Sequence, residues 1–209
     1  MSTPVYVEVG SKRTFACAVD WPGWARAAKD EEGALETLAA YVDRYRPVAE
    51  VAGVRFPASA GEDFDVVERV EGGSTTDFGA PQAVVGSDAR RLTKAQAARL
   101  ATLVEGAFSM FDRVVADAPA ELRKGPRGGG RDRDKMADHV LDAESGYFRT
   151  VGLKVPPGPE GRAAFLDALR AARSAEPDIT TKRWPWRYAA RRVAWHALDH
   201  AWEMQDRSE

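Results

Sequence analysis

The stretch KRWPWRYAARRVAWHALDHAWEMQDR, residues 182–207, decides how the C-terminal part of the chain folds. Pro185 suits the first turn of a helix, because the N–H that proline lacks would have no partner there. The residues after it have apolar side chains at helical spacing and predict one long helix that ends near residue 206. This helix carries His196 and His200, which lie four residues apart and therefore project from the same face.

Three further helical patterns precede this one. The first begins after Thr93 as the capping residue and ends at Pro119. Its apolar stripe consists of Ala97, Leu100, Val104, Ala107, Phe108, Phe111 and Val115. The second pattern covers about 133–151 and the third about 159–175. Four helices joined by modest loops predict an antiparallel four-helix bundle over residues 91–209.

The N-terminal part has the alternating pattern of β-strands instead. Residues 4–9, PVYVEV, and residues 13–24, RTFACAVDWPGW, are joined by a short polar link and predict a β-hairpin. Residues 64–71, FDVVERVE, predict a third strand. Together with an intervening helix, these strands predict a small α+β module over residues 1–85. The whole chain is therefore expected to belong to the α+β class.

The helix of this module and the connection after it are marked by local signals. Asp30 can cap the helix, and Pro47 is expected to stop or restart it. The polar, turn-rich sequence EGGSTTDFGAPQ then predicts a linker, or a long connecting loop, at about 72–90.

Composition and charge disfavour several classes of protein. The chain has 209 residues with 30 basic and 32 acidic side chains, so no overall positive field favours DNA. The basic segment RKGPRGGGRDRD, residues 123–134, is expected to be a solvated loop, because its glycines follow no strand and precede no Lys-Ser/Thr pair. A single cysteine, Cys17, permits no intramolecular disulfide and no cysteine-based zinc site. Without a signal-peptide core or an apolar run of bilayer length, we expect a soluble cytoplasmic protein with no membrane partner.

The chain has three histidines, and the third, His139, lies in the predicted second helix. Antiparallel packing of the second and fourth helices would place it beside His200. Imidazole nitrogens suit zinc, nickel, copper and iron, and three such ligands leave positions open for water or substrate. On spacing alone, surface or structural roles for the three histidines are the alternative. The apolar residues of the fourth helix favour the metal, because buried imidazoles need partners.

Residues 91–206 resemble the DinB-like (YfiT-like) family of four-helix bundles in two segments. These are DHVLDAESGYFRTVG, with a histidine early in the second helix, and WHALDHAWEMQDR, with the paired histidines of the last helix. The resemblance implies that His139, His196 and His200 bind a divalent metal, commonly zinc or nickel. It also implies a metal-dependent thiol transferase or isomerase, or a hydrolase, that acts on a small electrophilic substrate. A low-molecular-weight thiol such as mycothiol would be the co-substrate.

The segment FACAVDWPGWARAAKDEEGALETLAAYVDRY, residues 15–45, resembles HicB-like modules through Pro22-Gly23 and Glu31-Glu32. Such modules bind partner proteins in toxin–antitoxin systems, but the sequence contains no evident DNA-binding segment. We therefore expect a substrate lid, a pocket-forming domain or a dimerisation domain, and a homodimer. The alternative function is a non-catalytic partner-binding or regulatory protein with a HicB-like recognition module, in which the metal site is structural or inert.

Two polar residues near the histidines are candidate catalytic residues. Arg192 lies one turn before His196, where a guanidinium could hold a carboxylate of the thiol or substrate. Glu144 lies five residues after His139 and could orient an imidazole or act as a general base. A surface ion pair for the arginine and a solvated helix acid for the glutamate are the alternatives.

Overall fold

The computed structural model describes residues 2–125, 129–172 and 183–208. Within these ranges the chain forms a four-stranded sheet and seven α-helices, which confirms the predicted α+β class. The strands are β1 (Thr3–Val9), β2 (Thr14–Ala18), β3 (Ala25–Ala28) and β4 (Phe64–Glu71). The helices are α1 (Glu31–Ala40), α2 (Val42–Val51), α3 (Ser74–Phe78), α4 (Lys94–Asp117), α5 (Arg133–Thr150), α6 (Pro159–Ala171) and α7 (Trp186–Ser208), with a 3₁₀ turn at Gly86–Ala89.

The sheet is mixed and has the strand order β3-β2-β1-β4. β1 and β2 pair antiparallel with Val5 opposite Ala18, which confirms the predicted hairpin. β4 pairs parallel to β1 and places Val66 opposite Val5. A parallel neighbour needs a crossover connection, and α1 and α2 lie in that connection, with α1 packed on β2 and β3.

The first helical segment is interrupted earlier than the sequence predicts. Asp30 caps α1 as expected, because its carboxylate accepts a hydrogen bond of 2.9 Å from the Gly33 N–H. The helix then breaks at Tyr41, and Pro47 lies inside α2. The prediction that Pro47 stops or restarts the helix is therefore wrong. A proline removes a single N–H donor, here the one that would reach the Asp43 carbonyl, and packing of α2 on α4 tolerates that loss.

The segment predicted as a linker at 72–90 is anchored at both ends. The fully buried carboxylate of Glu8 in β1 accepts hydrogen bonds from the Thr76 hydroxyl and from the backbone N–H groups of Gln82 and Ala83. At the other end, the 3₁₀ turn is joined to α7 by an ion pair between Asp88 and Arg191. These contacts make the connection an ordered layer over one face of the sheet.

Helices α4 to α7 pack against one another, and α7 contacts both α4 and α5. The predicted cap of α4 is confirmed, because the Thr93 hydroxyl accepts from the Gln96 N–H while the Gln96 side chain accepts from the Thr93 N–H. α6 ends at Ala171, and residues 173–175 of the predicted third helix lie outside the described ranges.

A single cluster of buried side chains runs from the sheet into these helices. It contains Val5 and Trp24 on the N-terminal side and Leu103, Phe165 and Leu198 on the helical side. The segments predicted as separate modules, 1–85 and 91–209, therefore share a hydrophobic core. A second cluster, on the other face of the sheet, joins Phe15 and Cys17 to Trp195 of α7. Side chains of α7 thus take part in both clusters, and these contacts hold α7 against the sheet.

Two expectations concern surfaces. Residues 126–128 of the predicted basic loop lie outside the described part of the chain, and Arg123 beside them donates its backbone N–H to the Arg207 carbonyl at 2.9 Å. None of the described helices has both the length and the apolar character that crossing a bilayer requires.

Candidate metal centre

The three histidines meet between α5 and α7. The ring centroids of His139 and His196 lie 5.2 Å apart, those of His139 and His200 5.1 Å, and those of His196 and His200 4.7 Å. One nitrogen of each ring lies within 4.8 Å of the other two. The structure thus brings together the residues that the sequence predicts as metal ligands, while the binding of an ion to them stays a prediction.

The cluster has a closed end and an open end. His196 is only 6% exposed and lies deep against α5, whereas His139 and His200 are half-buried. This arrangement follows from the sequence of α7, because the residues around His196 are small or apolar and face the core. The partly exposed side of the cluster is therefore that of His139 and His200.

Electrostatics keeps two of the rings neutral. Burial, and after it the charges of His200, Arg192, His139 and Arg131, lowers the pKa of His196 to about 2. Burial also lowers the pKa of His139, followed by the charge of Arg131. At neutral pH these two imidazoles are therefore in the unprotonated form, which is the form that binds metal ions.

A carboxylate on α7 orients the third ring. The Nδ1 atom of His200 lies 3.0 Å from Oε2 of Glu203, and Arg207 donates to the other oxygen of this carboxylate at 2.9 Å. The hydrogen bond with His200, and then that with Arg207, lowers the pKa of Glu203 against the effect of its burial. A proton held on Nδ1 by Glu203 leaves Nε2 of His200 free for a metal. Glu203 is not among the residues predicted from the sequence, although its spacing of three residues from His200 places it on the same helical face.

The donor set fits a divalent cation. The Nδ1 atom of His196 is buried and forms no hydrogen bond with any described residue. Burying such a nitrogen costs free energy unless another group, such as a cation, binds it. Two nitrogens bound to a tetrahedral ion at about 2.0–2.1 Å are about 3.3 Å apart. The nitrogen atoms of the three rings lie within 4.8 Å of one another, which is wider. Rotation of the partly exposed rings of His139 and His200 can shorten these distances.

Glu144 has a different set of contacts from those predicted. Its fully buried carboxylate accepts two hydrogen bonds of 2.7 Å from Arg162 of α6, which also donates to Asp112 of α4 at 2.7 Å. Burial raises the pKa of Glu144, and the hydrogen bonds from Arg162 oppose that effect. Both carboxylate oxygens are thus used to join helices. These contacts do not support a catalytic role for Glu144, which stays a prediction.

Aromatic rings and a guanidinium form the wall beside His196. The ring of Tyr147 lies 5.5 Å from that of His196 and 5.5 Å from that of Trp184. The guanidinium carbon of Arg192 lies 5.2 Å from the Tyr147 centroid and 4.7 Å from that of Trp195. Arg192 therefore lies at the site, as its position one turn before His196 predicts. Tyr147 is not among the residues predicted from the sequence, because its place depends on how α5 packs on α7.

No family model, curated protein or solved structure matches this chain. The resemblances to DinB-like and HicB-like proteins therefore depend on the quoted sequence segments alone. The homodimer and the cytoplasmic location also stay predictions. The geometry of the three histidines is the observation from which a function can be argued.

Proposed function

We propose that this protein is a metal-dependent enzyme in which His139, His196 and His200 hold a divalent cation, zinc or nickel. The observation that carries the proposal is the convergence of three imidazole nitrogens within 4.8 Å, one ring having a buried, unpaired Nδ1. We also infer that α4 to α7 form the four-helix bundle of the DinB-like family. Three histidines are the donor set typical of catalytic rather than closed structural zinc sites.

The proposed chemistry is the activation of a thiol or water against a small electrophilic molecule. A divalent cation at this site would supply Lewis acidity and lower the pKa of an approaching thiol or water toward neutrality. The chain itself contributes a buried, neutral His196, a ring of His200 oriented by Glu203, and a partly exposed His139. A thiol-dependent transfer or isomerisation, with a low-molecular-weight thiol such as mycothiol, fits this arrangement, and hydrolysis is the same chemistry with water.

Metal binding is the first test. Protein stripped with a chelator and titrated with Zn²⁺ or Ni²⁺ should bind one equivalent. His139→Ala and His196→Ala should each lose most of that affinity, because either variant keeps only two of the three ligands. Gln205→Ala, an exposed substitution on the same helix, is the matched control and should bind like the wild type. Equal binding by all four proteins, or no binding by any, would refute the metal site.

Thiol binding separates the enzyme from the alternative, a regulatory protein with an inert metal. Co²⁺-loaded protein should show a thiolate-to-cobalt absorption band when a thiol is added, because a free coordination position accepts it. The same protein should then accelerate the reaction of the thiol with an electrophile such as 1-chloro-2,4-dinitrobenzene. A stoichiometric metal that never binds a thiol and accelerates no reaction of the thiol or of water would favour the regulatory alternative.

A further inference from the structure

Arg192 is a cation beside the proposed metal site. Its guanidinium contacts the rings of Tyr147 and Trp195. Among the described residues, its buried Nη1 atom has no hydrogen-bond partner and its side chain forms no ion pair. The two most buried arginines differ from it, because Arg162 is held by the carboxylate of Glu144 and Arg191 by that of Asp88.

The carboxylates on α7 around His200 already have partners. Glu203 is bonded to His200 and Arg207, and Asp199 accepts a hydrogen bond of 2.9 Å from Arg26. Within the described residues, neither carboxylate forms an ion pair with Arg192.

A site with this charge distribution is incomplete without an anion. A divalent cation on the three histidines would add two further positive charges beside Arg192. An uncompensated guanidinium that is partly removed from water costs free energy, and a carboxylate is the group that its two parallel N–H donors match. Contact with two aromatic rings fixes the orientation of the Arg192 guanidinium. The arginine side chain therefore loses little conformational freedom when it binds a carboxylate through two hydrogen bonds.

We propose that Arg192 binds a carboxylate of the molecule that the metal activates, so that the site selects anionic over neutral molecules. This inference rests on the proposed function and gives its substrate class. Arg192 is a binding and specificity-determining residue in this scheme. The carboxylate can belong to the thiol or to the electrophile, and the two sources are separated by the probes used.

The test compares probes that differ only in charge. Calorimetric titration of zinc-loaded protein with 3-mercaptopropionate and with 3-mercaptopropanamide should show roughly 10- to 100-fold tighter binding of the anion, the range for a charge-assisted contact. Arg192→Met should bring the two affinities close together without changing the zinc affinity. Arg149→Gln, which removes one exposed charge from α5, is the matched control and should keep the preference. Replacing the thiols by 3-chloropropionate and its amide asks the same question for the electrophile.

Arg192→Lys keeps the assay decisive if the methionine variant does not fold. The lysine retains the charge but lacks the fork of donors, so the preference for the anion should fall to a value between those of the wild type and Arg192→Met. A wild-type protein that binds zinc but shows no preference for either anionic probe would overturn the assignment of Arg192 alone. So would a preference that survives Arg192→Met. A protein that binds no zinc would overturn the proposed function together with this inference, and zinc stoichiometry is measured on the same samples.

Discussion

Replacing Glu144 by alanine should destabilise the fold while leaving the metal site intact. The carboxylate accepts two hydrogen bonds of 2.7 Å from Arg162, and the side chains are 0% and 8% exposed, respectively. Breaking a buried pair by removing one partner costs about 3–5 kcal/mol, because the remaining charge is left without compensation. Asp112 still binds Arg162, but its side chain is 62% exposed and compensates only in part. We therefore expect a loss of about 3 kcal/mol, at the lower end of that range.

Urea unfolding followed by tryptophan fluorescence measures this loss. A change of about 3 kcal/mol corresponds to a midpoint lowered by roughly 1 M urea for a chain of this size. The double variant Glu144→Leu with Arg162→Met should recover most of the stability, because apolar side chains of similar volume can replace a buried ion pair at little cost. Asp112→Asn is the exposed control and should change the stability by less than about 1 kcal/mol.

An unchanged urea midpoint of the Glu144→Ala protein would refute the helix-joining role of Glu144. If the same protein also bound zinc more weakly, Glu144 would act at the metal site, as the sequence predicts. Zinc affinity measured beside the midpoint thus separates a helix-joining role from a catalytic one.

Three further predictions concern other parts of the molecule. Glu203→Gln should weaken zinc binding roughly 10- to 100-fold in a chelator competition, because the orienting carboxylate of His200 is lost; unchanged affinity would exclude that role. Burial raises the pKa of Cys17 to about 12, so the thiolate forms only at very high pH. Iodoacetamide at pH 8.5 should therefore alkylate the unfolded but not the native protein, and equal rates would contradict this. Gly23→Ala should lower the stability by about 2–4 kcal/mol, because Gly23 has φ +93° and a Cβ would lie 2.6 Å from a side-chain carbon of α7. Gly53→Ala, at φ +63° with nothing within 4 Å, is the control and should cost only about 1 kcal/mol in the same urea assay.

Much of the secondary structure could be predicted because its signals are local. Thr93 and Asp30 cap their helices as predicted, since a capping side chain needs only the backbone three residues ahead. The pairing of β4 with β1 could not be predicted in this way, because a parallel neighbour depends on contacts far apart in the chain. The break at Tyr41 was also missed, since Pro47 carries the stronger local signal while packing decides where the helix bends.

The same distinction between local signals and long-range contacts applies to the candidate site. The sequence by itself determined that His196 and His200 share a face, because the period of an α-helix fixes that relation whatever surrounds it. Only the tertiary structure decided that His139 meets them, that Glu144 is bound to Arg162, and that Arg192 has no carboxylate partner within the described residues. The physical reason is that charge compensation and ligand convergence depend on which helices touch, and helical periodicity determines only which face each helix presents.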